Sequence, residues 1–283
     1  MALRSSTRLP SMRVFFKQFC ILVLVLSVAS CSMFRHKADI NTMPVGALYQ
    51  NAHTSLEKGD YAAAEKAYKR LIARFPSGKY NEQSQVDLAY AQYKDNKPDD
   101  AYSTINRFIK TFPTHKHIDY AYYLRGLINF NRTTGIVERF VEQDQSRRDQ
   151  GYRLQAFDDF SQLTRRFPGS KYAADARQRM IFLRNGLAQF EINVATFYLK
   201  HKMYVASAHR AKYVIEHYQR APEAGDALAI LSRSYKSLGR DKLAAQAREV
   251  LKLNFPNHPY LKDPNWPHFA SVWKRMVPFV NHH

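Results

Sequence analysis

Residues 61–113 decide the fold, and they read YAAAEKAYKRLIARFPSGKYNEQSQVDLAYAQYKDNKPDDAYSTINRFIKTFP. Two Phe-Pro pairs close helical runs in this stretch, Phe75-Pro76 and Phe112-Pro113, and they stand 37 residues apart. Proline disfavours the helical conformation in the residue before it, so each pair marks a helix end. Apolar residues three and four apart fill the runs, and Pro98 lies at a turn. The stretch predicts helices repeated at a fixed interval.

The same closing pair recurs further along the chain. It is found at Phe167-Pro168 and Phe255-Pro256, and Tyr218 with Pro222 forms a degenerate copy. The interval from Tyr218 to Phe255 is again 37 residues. A fixed period of this size is typical of a solenoid in which stacked helix pairs bury a continuous core. The sequence therefore predicts an all-α, right-handed α-solenoid of about five helix pairs like those of tetratricopeptide repeats.

A register of about 34 residues, that of tetratricopeptide repeats, fits when each closing proline takes its last position. Small residues then fall where the two helices of a pair cross, and large residues fall where the second helix packs on the next pair. The small pairs are Ala52 with Ala64, Ala89 with Ala101, and Ser232 with Ala244, and the large positions include Tyr68, Leu71, Ile105, Phe108 and Leu251. Within a domain of 44–256, the repeats are predicted near 45–78, 82–115, 117–170, 173–222 and 223–256.

Two repeats depart from the period. In the third, Phe167 follows Phe112 by much more than one period, and the excess is a polar loop at 131–151. A loop this long inside a helix pair is usually functional or disordered. In the fourth, the first helix is predicted to extend back to Ala173, with a break at Gly186.

The segment 1–30 has the layout of a secretory signal. It carries four basic residues and no acidic residue, followed by an apolar run at 19–28 that is too short to span a bilayer. The residues at 29–31, Ala-Ser-Cys, resemble the lipobox of bacterial lipoproteins. Cys31 is therefore the predicted lipidation site and the first residue of the mature chain, and 31–43 is a tether.

An ordinary signal peptide cleaved near the same place is the alternative, and it leaves Cys31 as a free thiol. An exposed unpaired cysteine is a reactive liability in an oxidising compartment, which favours lipidation. Cys20 lies in the removed segment, so we expect no disulfide in the mature chain. Several acyl chains anchor a protein stably. Ser32 is not the aspartate that in enteric bacteria resembles an inner-membrane retention signal, so the predicted location is the periplasmic face of the outer membrane.

The charge of the chain is strongly positive. It has 43 Lys and Arg against 24 Asp and Glu, and loss of the four basic residues of the signal leaves a mature net charge of +15. Nucleic acid is the usual partner of such a chain, but an exported lipoprotein meets little of it. Acidic protein surfaces and anionic lipid headgroups remain as expected partners.

The lipobox, the five repeats and the loop in the third repeat together resemble the BamD/ComL family. The strings FPGSKYA at 167–173 and YVASAHRA at 204–211 carry the same resemblance, which covers residues 28–256. Members of that family are the lipoprotein component of the machinery that inserts β-barrel proteins into the outer membrane. The high charge and the tail at 257–283 depart from the family pattern.

The resemblance implies a scaffold or adaptor lipoprotein. It implies binding to BamA through the last periplasmic domain of BamA, to other barrel-assembly lipoproteins, and to unfolded outer-membrane proteins near the first repeats. Two other classes remain open. One is a periplasmic repeat adaptor lipoprotein that serves peptidoglycan enzymes or secretion, and the other is a lipoprotein enzyme with a novel site.

Aromatic residues are predicted on the concave side, which the first helices of a solenoid line. The predicted groove residues are aromatic with scattered cations, and they are Tyr49, His53, Tyr90, Tyr93, Lys94, Tyr120, Tyr123 and Phe130. Such a groove suits an extended peptide that ends in an aromatic residue and a carboxylate, the form of a barrel protein's last strand. The alternative is ordinary packing between helices.

The second helix of the fourth repeat provides a second predicted surface. Its apolar pattern leaves His209, Arg210 and Lys212 mostly outward. The resemblance matches Arg210 to an arginine that faces BamA in the family, and arginine suits a desolvated pair with a carboxylate. A solvated helix face is the alternative.

Catalysis, cofactors and metals are not expected from the sequence. The histidines at 201, 209 and 217 are eight residues apart and cannot share a metal on a helix. His115, His117 and Asp119 form at best a weak chelating group, and the chain has no glycine-rich phosphate loop and no Gly-x-Ser-x-Gly turn. In the tail, Phe269, Trp273 and Met276 lie at helical spacing and predict a capping helix, with contact to a lipid surface as the alternative.

Overall fold

The computed structural model describes residues 42–133 and 150–268. Within these residues the chain forms ten α-helices and no β-strand, which confirms the all-α prediction. The helices are α1 (Val45–Glu57), α2 (Tyr61–Arg74), α3 (Lys79–Lys94), α4 (Pro98–Thr111), α5 (Ile118–Thr133), α6 (Gly151–Arg166), α7 (Ala173–Lys200), α8 (Tyr204–His217), α9 (Ala224–Ser237) and α10 (Asp241–Asn254). Each helix packs on the next, so the fold is a solenoid of antiparallel pairs.

Small residues lie where the paired helices cross, as the register predicts. Ala52, Ala64, Ala89 and Ala101 are fully buried at the first two crossings. In the fourth pair the hydroxyl of Ser207 donates to the carbonyl of Ala195 at 2.9 Å, and in the fifth Ser232 donates to Ala244 at the same distance. A larger side chain at these sites would separate the helices.

The Phe-Pro pairs end the second helices as predicted. The N–H groups of Phe75, Phe112, Phe167 and Phe255 each donate to the carbonyl four residues earlier, at 2.7–2.8 Å. Tyr218 ends α8 with the same bond although no proline follows it directly. The helix end therefore depends on the repeat's packing as well as on proline.

A left-handed residue occupies each short turn within a pair. Gly59, Asn96, Lys202 and Gly239 have φ of 76°, 58°, 60° and 68°. They take the same repeat position, since Asn96 follows Gly59 by one period and Gly239 follows Lys202 by one period. Glycine and asparagine adopt this conformation readily, whereas lysine does so at a cost.

The predicted break of the fourth repeat's first helix at Gly186 is wrong. α7 runs unbroken for 28 residues, with Leu183 and Leu187 buried on either side of Gly186. A Cβ at Gly186 would lie 2.3 Å from a terminal nitrogen of Arg153, so the glycine admits the buried Arg153 side chain. Packing on both sides keeps the glycine helical despite its low helix propensity.

The length of α7 has a simple geometric basis. Ile181 stands at the same offset from Phe167 as Ala89 does from Phe75, whereas the buried crossing residue Ala195 lies further along the helix. Ile181 is 43% exposed and is not a crossing position; Ala176 and Leu183 instead bury the first half of α7 in one core cluster, and Ala195 buries the second half in another. The first half of α7 thus packs on α6 and the second half on α8, and α7 joins two core clusters.

The remaining segments are partly outside the described residues. α5 continues to Thr133, so the predicted loop at 131–151 begins later than expected, and its part at 134–149 is not described. The signal segment, Cys31 and nearly all of the tether also lie outside the described residues, as does the predicted capping helix after His268. The described part of the tail packs on α9 and α10 through buried Tyr260, whose hydroxyl bonds to Ser232, and through a cluster with Trp266.

Candidate functional site

The first helices of consecutive pairs form one surface, here called the first-helix face. α1 contacts α3, α3 contacts α5, and α7 contacts α9. The eight predicted groove residues lie on α1, α3 and α5, and each is at least partly exposed. Six of them also pack against core clusters, namely Tyr49, Tyr90, Tyr93, Tyr120, Tyr123 and Phe130. These side chains therefore serve inter-helix packing and line the face at the same time.

A polar network joins α1 to α3 at the start of the face. The Tyr49 hydroxyl donates to Asp87 at 2.9 Å, and Gln83 donates to the other carboxylate oxygen at 2.9 Å. Burial raises the pKa of Asp87, although these hydrogen bonds oppose the shift. Burial and the neighbouring Asp87 raise the pKa of Tyr49, and His53 stacks on the Tyr49 ring. The two hydrogen bonds thus fix the Asp87 carboxylate, and the Tyr49 ring stays partly exposed on the first-helix face.

A second network ties α5 to α7. The Tyr123 hydroxyl donates to Asp175 at 2.7 Å, and Arg179 donates to the same carboxylate oxygen through Nε. Burial alone would raise the pKa of Asp175, but the bonds from Arg179 and Tyr123 outweigh it and lower the pKa. The Tyr123 ring stacks on Tyr172 at 4.8 Å between centroids. These contacts fix the aromatic rings in one orientation.

Phe130 and Phe182 extend the same face on α5 and α7. Their ring centroids are 5.7 Å apart, and the Arg179 guanidinium lies 4.8 Å from the Phe130 centroid. Phe182 is 49% exposed, so a hydrophobic surface adjoins a cation. Between this site and α1, the Asn131 amide bonds to the Tyr93 hydroxyl and links α5 to α3.

Sequence reasoning missed four members of these networks, Asp87, Asp175, Arg179 and Phe182, although they lie within the predicted repeats. Asp175, Arg179 and Phe182 are spaced four and three residues apart on α7, which places them on one helix face. That spacing was a usable signal, but this part of α7 has no counterpart in the regular repeat. Asp87 gave a weaker signal, three residues before Tyr90 on α3.

Arg210 is less outward than its sequence pattern predicts. Its guanidinium lies 3.1 Å from Glu191 on α7, with the arginine side chain 42% and the glutamate side chain 12% exposed. His209 and Lys212 are exposed, and Lys212 pairs with Glu216 one turn along α8. Arg210 thus already has an intramolecular partner, and any external carboxylate would share it with Glu191.

The two described ranges hold neither a cluster suited to a metal ion nor a helix suited to span a membrane. There, no three His, Cys, Asp or Glu side chains come together as a metal site would require. Asp119 accepts from Ser170 at 2.7 Å, and the His115 and His117 rings are 5.7 Å apart. Of the helices in 42–133 and 150–268, none is both long and apolar enough to cross a membrane.

A family model described as outer membrane lipoprotein, YfiO, matches residues 41–251. The outer membrane protein assembly factor BamD of Xylella fastidiosa strain Temecula1 is 44% identical over 270 residues, which cover 94% of this chain and 92% of the relative. The chain belongs to the BamD family. The BamD of Neisseria meningitidis serogroup B is 42% identical, over 81% of this chain and 85% of its own length, and that of Vibrio cholerae is 33% identical, over 75% and 88%.

The BamD family model spans nearly the whole solenoid. It begins before α1 and ends at residue 251, within α10, so it includes the first-helix face and the Arg210–Glu191 pair. Residues 252–283 lie beyond the matched part, although the alignment with the Xylella BamD covers 94% of the chain. The resemblance stated from sequence is therefore confirmed at the level of the family.

Proposed function

We propose that this protein is an outer-membrane protein assembly factor, a lipoprotein that acts by binding and not by catalysis. Cys31 anchors it to the periplasmic face of the outer membrane. It brings unfolded outer-membrane proteins to BamA and to other barrel-assembly lipoproteins. Membership of the BamD family supports the role, and the first-helix face supplies a surface for an extended chain.

The observation that carries the proposal is the group of Phe130, Phe182 and Arg179. An aromatic ring at the end of a peptide would pack against half-exposed Phe182, and its terminal carboxylate would meet the guanidinium of Arg179. Arg179 donates to Asp175 through Nε, and its planar fork has further donors for a second carboxylate. Tyr93, Tyr120 and Tyr123 continue the surface along the direction in which a peptide strand would extend.

A peptide-binding experiment tests this assignment. A labelled peptide with alternating apolar residues and a C-terminal phenylalanine carboxylate is titrated by fluorescence anisotropy, beside the same peptide with an amidated end. Arg179→Gln should weaken binding of the free acid about tenfold or more, because a charge-assisted hydrogen bond is lost. It should leave binding of the amide unchanged, and Arg177→Gln, on the exposed side of the same helix, is the matched control. Equal affinity of the wild type for the acid and the amide would contradict the assignment.

Co-purification from detergent-solubilised membranes tests the partners. The proposal predicts recovery of BamA with the tagged chain, and Arg210, His209 and Lys212 are the proposed contact residues. Recovery of peptidoglycan enzymes or secretion components without BamA would favour the other class of periplasmic adaptor. Palmitate labelling that is lost in Cys31→Ala would support the anchor.

A further inference from the structure

Two turns of the last repeats lie side by side on one edge of the solenoid. The Ser234 hydroxyl donates to the Ser207 hydroxyl at 3.1 Å and joins α9 to α8. Ser207 is three residues after the start of α8, and Ser234 is three residues before the end of α9. Each connection between two helices therefore lies about one turn of α-helix away from this hydrogen bond. The segments 197–205 and 235–243, which contain the two turns, are called the basic turn edge.

The basic turn edge differs in charge from the equivalent edge of the first repeats. It holds Lys200, Lys202, Lys236, Arg240 and Lys242 against Asp241 alone, a net charge of +4. The equivalent segments around the first two turns, 54–62 and 92–100, hold three lysines against five acidic residues, a net charge of −2. The repeat itself therefore does not require positive charge at this edge.

The two edges also use their cations differently. In the first repeats, Lys97 lies 2.8 Å from Glu65 and 2.7 Å from Asp95, and Lys94 lies over the Tyr61 ring. On the basic turn edge, none of the five cations forms an ion pair with a residue in the described ranges, and all five are exposed. Their charge is thus available to an external partner.

Exposed apolar side chains accompany these cations. Phe197, Met203 and Val205 are 56%, 50% and 70% exposed around the first turn, and Leu238 and Leu243 are exposed around the second. Among the described residues of segments 54–62 and 92–100, no large apolar side chain is exposed. Apolar side chains that project beside lysines are typical of a surface that enters the headgroup region of a membrane.

Lys202 is held in a conformation that suits glycine. It has a φ of 60° at the position where Gly59, Asn96 and Gly239 stand in the other turns. An L-residue with a side chain beyond Asn or Asp is strained there, and such strain persists mainly where the side chain has a use. A lysine at this site therefore indicates a role for its ammonium group.

We propose that the basic turn edge docks on an anionic phospholipid surface. Negatively charged phosphate headgroups are complementary to the positive net charge of the edge. The apolar side chains of the edge would lie among the glycerol and upper acyl groups. Four of its five cations are lysines, which are depleted at protein interfaces where arginine is enriched, so the composition favours lipid over a protein partner. The edge shares none of the proposed contact residues Arg179, Phe182 and Arg210, and it would add an orientation that a lipid anchor at Cys31 alone does not provide.

Vesicle sedimentation tests the proposal. The full mature chain with Cys31→Ser, which removes the anchor and changes no described residue, is mixed with vesicles of phosphatidylethanolamine and phosphatidylglycerol or of phosphatidylcholine alone. We expect binding to the anionic vesicles only, and loss of that binding at high salt. Changing Lys200, Lys202, Lys236 and Lys242 together to Gln should weaken it on the order of a hundredfold or more, at about fivefold per lysine.

The control variant loses the same four positive charges, but from a different part of the surface. Lys58, Lys66, Lys110 and Lys116 are exposed residues of the first three pairs, and changing these four to Gln should reduce vesicle binding far less. Val205→Gln with Leu243→Gln keeps every charge and should weaken binding about tenfold or more, because two apolar side chains no longer leave water. Equal losses in the two lysine variants would reduce the effect to net charge and overturn the proposal.

Lys202→Gly separates the lipid role from a structural one. Glycine relieves the strain at φ 60°. The melting temperature should therefore rise by about 2–4 °C, while binding to anionic vesicles should fall about fivefold. A structural role would instead lower the melting temperature.

With the lipid-anchored wild type, amide exchange at 200–203 and 238–240 should slow on anionic vesicles and not on neutral ones. Unchanged exchange in both, with wild-type sedimentation equal to that of the quadruple variant, would assign the edge to some other partner and overturn the proposal.

Discussion

The first three helix pairs and the last two share one helical framework but differ in how they hold an ion pair between helices. In the third pair, Arg125 Nε lies 2.7 Å from Asp159, and the two side chains are only 8% and 4% exposed. In the fourth pair, Arg210 lies 3.1 Å from Glu191 with 42% of its side chain exposed. The ion pair of the first part is thus buried within the helix packing, whereas the ion pair of the second part keeps its arginine half-exposed. Differences in function within a repeat protein can therefore be read from where charges lie, because the helical framework is shared.

The largest expected effect tests the buried pair. Asp159→Ala leaves the Arg125 guanidinium buried opposite no carboxylate, so the free energy of unfolding should fall by about 3–5 kcal/mol. Glu191→Ala removes the partner of a half-exposed arginine and should cost about 0–1 kcal/mol. Urea unfolding of both variants measures the difference. Similar losses in the two would remove the distinction between the two parts of the molecule.

The next effect concerns binding by the second part. Arg210→Gln should weaken the complex with BamA by about 2–5 kcal/mol if a buried carboxylate of BamA loses its partner. Arg210→Glu is a poorer test, because the new carboxylate would also face Glu191 within the same molecule. Titration of the BamA periplasmic domains by calorimetry gives the affinity, and Lys110→Gln, at an exposed position on α4 outside the proposed contact, is the control. An unchanged affinity for Arg210→Gln would limit Arg210 to its contact with Glu191.

A helix crossing in the first part gives a smaller, structural test. A Cβ at Gly126 would lie 2.6 Å from the ring of fully buried Phe160. Gly126→Ala should therefore lower the free energy of unfolding by about 1–3 kcal/mol, despite the better helix propensity of alanine. Gly46→Ala in α1 meets its neighbour at 3.4 Å and should be neutral or stabilising. A stabilising Gly126→Ala would show that the third crossing is looser than the structure indicates.

Much of this organisation was predictable from sequence. The Phe-Pro period and the small residues at 52, 64, 89 and 101 predict the helix pairs. They do so because a stacked repeat must place side chains of the same size at each helix crossing. The continuity of α7 was not predictable in the same way, since two registers overlap within one helix and no repeat signal marks the change. Arg210 was placed outward because a helix pattern shows which face is apolar but not which ion pair crosses to the next helix.

The pH dependence of stability concerns two buried carboxylates in the first part of the molecule, Asp159 and Glu65. Burial raises the pKa of Asp159 from 3.8 to about 6, although Arg125 and Asn129 oppose the shift. Burial would also raise the pKa of Glu65, but bonds from Lys69, Lys97 and Gln92 outweigh it and lower the pKa from 4.5 to about 2. The stability that protonated Asp159 contributes is full below about pH 4 and is lost as the pH rises through about 6, whereas that of Glu65 is full above about pH 4.5 and is lost as the pH falls through about 2.

Chemical denaturation across about pH 4–7 measures the contribution of Asp159. Asp159→Asn should flatten the dependence between about pH 4 and 6, because its amide does not titrate. A slope that persists in Asp159→Asn would assign the proton to another group.

Depletion of the protein in its own cells tests the assembly role most directly. The amount of folded outer-membrane β-barrel proteins is measured by their heat-modifiable migration on gels, with peptidoglycan composition followed in the same cells. The proposed function predicts that folded barrel proteins decline first and that re-expression of the wild-type chain restores them. Barrel proteins that remain fully assembled during depletion, while peptidoglycan or secretion fails, would contradict it.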